Sequence, residues 1–131
     1  MLLTYITWVF CMNFASKHQR KVNEVYPSKP GEDGPVPTKI SSLTYYLNAR
    51  PGKIFKVMSY LERKTDRDLY KEKTGYNKVT LEILDNLFMQ CSIHFPIYYV
   101  SCLRIVLAMV SAGDNELFIR TISTVLWFLH F

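Results

Sequence analysis

The sequence predicts an all-α fold, a helical array. Apolar residues recur at three- and four-residue spacing in successive segments, and the helix starts near Tyr76, Phe95 and Asp114 repeat about every 19 residues. Two such helices make a unit of roughly 40 residues, the size of an armadillo or HEAT repeat, so the expectation is an armadillo/HEAT-like α-solenoid; a plain helical bundle is the alternative. With 131 residues, 49% of them hydrophobic, the chain can bury the core of one domain, and disorder of the whole is excluded.

Taken in order, Met1 to Ala15 is an uncharged apolar leader. It is too short for a comfortable membrane span, which takes about 20 apolar residues. It is also an awkward signal peptide, because positive charge follows the apolar run instead of preceding it. Inserted, it would keep the following chain cytoplasmic. Three readings stay open: an interfacial anchor with Cys11 as an acylation site, a translated stretch foreign to the natural protein, or a first helix packed on the domain.

Residues 16–26 (SKHQRKVNEVY) form a basic amphipathic segment. Lys17, His18, Arg20 and Lys21 cluster, while Val22, Val25 and Tyr26 line another face of a short helix. A membrane surface bearing anionic lipid would attract such an element; a solvated helix start is the plainer reading. Charge supports attention to this half. Met1 to Lys73 holds 13 Lys/Arg and 7 Asp/Glu, a net of +6, and Thr74 to Phe131 holds 3 and 4, a net of −1.

Residues 27–40 read as a Pro/Gly-rich loop, with four prolines and two glycines between Pro27 and Thr38. The helical repeat region follows over 41–131. Ser41 or Ser42 caps a short helix over Leu43, Tyr46 and Leu47, ended by Pro51. Ile54, Val57, Met58 and Leu61 mark the next helix, over 51–64, leaving Lys53, Lys56, Arg63 and Lys64 for its other side. Thr65 and Asp66 look like a break, with a short charged turn or helix running to Gly75. A helix over 76–92 carries the stripe Val79, Ile83, Leu87 and Cys91, flanked by Leu84 and Phe88. The segment over 96–111 starts at Pro96, is apolar nearly all round and is expected to be sandwiched between others. Asp114 caps a last helix over 115–130, and the apolar ending TVLWFLHF reads as a cut through a larger fold.

Catalytic signatures are weak, which points away from an enzyme. Cys91 and His94 form a C-x-x-H pair without a second pair at ligand spacing, so a core cysteine is the better account than a metal ligand. No Gly-rich phosphate loop, G-x-S-x-G or H-E-x-x-H is present. No cofactor or metal is expected. The three cysteines (Cys11, Cys91 and Cys102) fit no disulfide framework and suit a reducing compartment. Tyr45, Tyr46, Tyr98 and Tyr99 could stack on nucleobases, but on helical segments packing explains them better, and nucleic acid is not an expected partner.

KHQRKVNEVYP, then SSLTYYLNARPGKIFKVMSYLERKTDRDL, then TGYNKVTLEILDNLFMQC resemble the amino-terminal part of the Eighty-five-requiring (rolling blackout) family, from Lys17 to about Phe131. The resemblance implies a non-enzymatic armadillo/HEAT rod that anchors the type III alpha phosphatidylinositol 4-kinase complex at the cytoplasmic face of the plasma membrane. It implies that Lys17, Arg20 and Lys21 match the first cluster of a basic patch that holds acidic phospholipids in fungal members. Lys53, Lys56, Arg63 and Lys64 match later basic positions. Animal relatives carry several acylated cysteines before that cluster, where this chain has only Cys11. The tail that recruits the kinase complex lies in a part of the family absent here. The residue reading leaves two functions open: a membrane-surface scaffold, and a nucleic-acid-binding helical module that would use the same charges. The apolar leader, which serves only lipid, discriminates between them.

Overall fold

The structure, a computed structural model, describes residues 16–29 and 34–130. Among them are six α-helices and no strand: α1 (Lys17–Asn23), α2 (Pro37–Ala49), α3 (Ile54–Tyr70), α4 (Thr74–Gln90), α5 (Phe95–Val110) and α6 (Asn115–His130). Short 3-10 turns, Pro51–Lys53 and Ser92–His94, lead into α3 and α5. Each helix packs on the one two places earlier. α1, α3 and α5 make one layer, α2, α4 and α6 the other, with α3–α4 and α5–α6 contacts joining them. This is the helical array that the spacing predicts.

Proline and glycine punctuate it. Pro37 sits in the first turn of α2, so that helix begins four residues before the expected serine cap, and Ser41 and Ser42 become exposed interior positions. Pro96 opens α5, and Gly113, at φ +83°, ends the turn that follows it. Asp114 caps α6 as expected, its Oδ1 accepting the Leu117 N–H at 3.1 Å, and this backbone bond holds its carboxyl below the usual carboxylate range.

The expected end of the third helix fails for a physical reason. No break occurs at Thr65 and Asp66; α3 runs on to Tyr70, because Thr65 and Asp68 lie on the buried stripe of Ile54, Val57, Met58 and Leu61. Polar residues on an inward stripe look like a helix end when polarity is the guide. The turn after α3 instead falls at Glu72, which adopts φ +56°, and Lys73 N–H reaches the Asp68 carbonyl at 2.8 Å.

α5 is not sandwiched. Tyr98, Cys102, Ile105 and Met109 face inward, but Ile97, Val100, Leu103 and Leu107 are each more than 40% exposed. Residues 92–110 are long and apolar enough to cross a membrane by length and composition. In this fold one side of that stretch packs on α3, and Arg104 in its middle lies 3.7 Å from Glu62. The stripe of α4 behaves as expected: Val79, Ile83, Leu84, Leu87, Phe88 and Cys91 are all buried.

Candidate functional site

α1 is a seven-residue helix whose two sides divide by chemistry. Val22 is fully buried, and Val25 and Tyr26 just beyond it also enter the core. The apolar face is therefore already used by the protein, and only the basic face is open to a partner. Hydrogen bonds hold this end of the chain: Tyr60 donates to the Asn23 side chain at 2.6 Å, Tyr76 to the Pro27 carbonyl at 2.8 Å, and the Val36 N–H to the Val25 carbonyl at 2.9 Å.

The basic residues from two parts of the sequence meet around His18. Partial burial lowers its pKa, and the positive charges of Lys56, Lys53 and Arg63 lower it further. The lead-in turn and body of α3 thus present their cations beside α1. Lys17, Arg20, Lys56 and Arg63 are exposed, and Lys21 and Lys53 half-buried. Among the described residues none of these six makes an ion pair, whereas Lys39, Lys64, Lys78, Arg104 and Arg120 each do. A cluster of like charges left without carboxylates raises the local potential toward anions.

Lys17 and Lys21, one helical turn apart, place their ammonium groups 5.5 and 5.1 Å from the centroid of the Tyr46 ring. Arg50, at the end of α2, stands 5.2 Å from the same centroid. Sequence reasoning left Arg50 out, because its position before Pro51 reads only as a helix stop.

Lys64 departs from the expected patch. Only 6% exposed, it lies 3.2 Å from Asp68 and sits over the rings of Tyr26 and Tyr76, at 4.2 and 4.8 Å. Burial lowers its pKa against the pull of Asp68. Its charge is consumed inside the fold. Tyr26 also shares a 2.6 Å hydrogen bond with Thr80. Cys11 and the leader lie outside the described residues.

The remaining candidates are packing groups. Cys91 is fully buried, its thiol donating to the Thr44 carbonyl at 3.6 Å and pushed up in pKa by burial. Tyr98 is fully buried and donates to the Leu87 and Cys91 carbonyls, and Tyr46 is 5% exposed. Tyr45 and Tyr99 are open to solvent instead. A cavity of about 500 Å³ between α4, α5 and α6 is lined by Phe88, Phe95, Tyr98, Tyr99 and Phe128, a setting without acid–base pairs. No cluster of three or more His, Cys, Asp or Glu occurs among the described residues.

The chain resembles known proteins over most of this region. Residues 17–125 match the family model described as EFR3 protein. Protein EFR3 homolog A of Homo sapiens is 31% identical over 108 residues, which is 82% of this chain and 13% of the relative. Protein EFR3 of Debaryomyces hansenii is 32% identical over 112 residues, 85% of this chain and 13% of the relative, and Protein EFR3 of Saccharomyces cerevisiae is 30% identical over 104 residues, 79% and 13%. A solved structure, "Crystal structure of Efr3", superposes with a TM-score of 0.77 at 28% identity, covering 86% of this chain and 22% of that one. The chain thus spans about an eighth of the length of the curated relatives it matches. From its motifs, its two-layer helical stacking and these matches, the chain belongs to the EFR3 protein family, the Eighty-five-requiring family that its sequence resembles.

Proposed function

We propose that this chain is a non-enzymatic, membrane-associated scaffold module that binds acidic phospholipids at the cytoplasmic face of the plasma membrane. Within a longer family member it would help localise a phosphatidylinositol 4-kinase complex there. Family membership supports the membrane role, and the kinase role rests on the resemblance. The observation that carries lipid binding is the approach of Lys53, Lys56 and Arg63 to His18 on α1, the helix that carries Lys17, Arg20 and Lys21, with none of the six in an ion pair among the described residues. Each Lys or Arg near an anionic leaflet contributes about 1 kcal/mol, so six suffice for reversible attachment.

Co-sedimentation with liposomes tests this reading. Replacing Lys17, Arg20 and Lys21 by Ala should weaken binding to phosphatidylserine liposomes by about 3 kcal/mol, and raised salt should act in the same direction. Adding Lys53, Lys56 and Arg63 to the set should abolish what is left; Lys64 is excluded, since its replacement would test the core. Unchanged binding after the triple replacement, or equal binding to neutral liposomes, would overturn the proposal. Tighter binding to duplex DNA than to liposomes of like charge density would favour the nucleic-acid reading instead.

A further inference from the structure

We infer that Lys17, Lys21 and Arg50, gathered about the ring of Tyr46, form a discrete seat for a phosphate group within the wider basic surface. The inference deepens the membrane reading and rests on it for the lipid source of that phosphate. Three cations from two helices lie between 5.1 and 5.5 Å from one ring centroid. The ring offers each a partial negative face, and the closing carbonyls of α2 offer another, but none supplies a full charge. Among the described residues no carboxylate pairs with any of the three. A diffuse charged surface would let its side chains roam. Here the reference point is rigid, because Tyr46 is 5% exposed and sits in the core beside the fully buried Leu43 and Leu47.

Arg50 is held in the same way. Its N–H donates to the Tyr46 carbonyl at 3.0 Å, and Pro51 keeps its backbone out of the helical region, at φ −132° and ψ 73°. The guanidinium fork is thereby tied to the residue around which the lysines gather. A planar fork beside two point charges is a donor set suited to phosphate oxygens, the fork taking two of them and the ammonium groups the rest. A phosphomonoester carries more charge than the diester of an ordinary headgroup, so it gains more from three cations in one place. The ligand class is a phosphate monoester, supplied by a phosphorylated inositol headgroup or by free phosphate.

The test compares two vesicle types of equal surface potential, phosphatidylcholine with phosphatidylserine and phosphatidylcholine with a phosphatidylinositol monophosphate. Arg50→Lys keeps the charge and removes the fork. It should weaken binding to the monophosphate vesicles about tenfold and leave phosphatidylserine binding within about twofold, as expected for loss of one charge-assisted bidentate contact. Lys21→Gln should reduce both, the monophosphate more. A soluble arm follows the Arg50 Nε–H resonance by NMR while inorganic phosphate replaces chloride at constant ionic strength. A saturable shift absent from Lys21→Gln supports the seat with free phosphate as its source, even if no vesicle binds and the membrane reading falls. Equal losses on both vesicle types together with no saturable shift overturn the seat and leave an unstructured patch. Thermal melts by circular dichroism, unchanged for both variants, separate either result from misfolding.

Discussion

Two tyrosine–cation assemblies stand in this small array, and they are opposites. Around Tyr26 and Tyr76 the central cation is Lys64, nearly out of solvent, with Asp68 at 3.2 Å to balance it, while the half-buried Lys73 stands 5.5 Å from the Tyr76 centroid. Around Tyr46 the cations are Lys17, Lys21 and Arg50, with no ion pair among the described residues. A buried charge has to be neutralised within the fold, since removing its partner leaves an uncompensated ion in a poor solvent. An exposed cluster is stabilised by water and is under no such demand. The first assembly therefore holds the structure together, and the second is left with charge to spend on something else.

The largest effect should come from breaking the closed assembly. Asp68→Ala should lower stability by about 3 kcal/mol in urea unfolding, and adding Lys64→Met should recover most of that loss, because the pair is then removed together. A cost below about 1 kcal/mol for the single change would mean that Lys64 reaches water and that the two assemblies differ less than their geometry suggests. Next comes Tyr26→Phe, which deletes a buried hydroxyl bond to Thr80 while leaving the rings in contact with Lys64. Thr80 keeps its bond to the Tyr76 carbonyl, so the expected cost is about 1 kcal/mol.

The open assembly should respond differently. Lys21→Ala should change the unfolding free energy by less than about 0.5 kcal/mol, since it loses a half-exposed ring contact and relieves repulsion from Lys17 and Arg50. A loss as large as that of Asp68→Ala would mark it as a structural fastening. The smallest effect belongs to His18. Its folded-state pKa lies below the ordinary 6.5, so the unfolded chain takes up its proton first as pH falls. Stability associated with this residue is complete above that value and is lost as pH drops through the folded pKa. His18→Gln should flatten the fall of the melting temperature as pH drops below the ordinary histidine range of about 6.5, and anionic vesicles should flatten it as well by raising the folded pKa.

Much of the fold was legible from spacing alone, as the starts of α5 and α6 and the stripe of α4 attest. The errors fell where charge was allowed to outvote position. Lys64 is three residues after Leu61 and seven after Val57, so helical period places it on the buried stripe, as it places Thr65 and Asp68. Reading Lys64 by its charge assigned it to solvent. The grouping of Lys17, Lys21 and Arg50 is another matter. It depends on how α1 lies across the end of α2, a tertiary relation without a local signal. That Lys53, Lys56 and Arg63 share a side with His18 was likewise open until α1 and α3 were seen in one layer.

Stacking every helix on the one two places earlier gives the array a mechanical direction. Load applied at the α1 end passes to α2 and α3 through helix contacts and straight to α4 through the Tyr26–Thr80 and Tyr76–Pro27 hydrogen bonds, and from these to α5 and α6. The Tyr60–Asn23, Tyr26–Thr80 and Tyr76–Pro27 hydrogen bonds are side-chain couplings that carry this load at the α1 end. A protein held by its first helix and pulled from its far end would peel one helix at a time, in a saw-tooth of small forces, as arrays with nearest-neighbour coupling do. An array of this kind absorbs displacement by shedding and regaining helices one at a time.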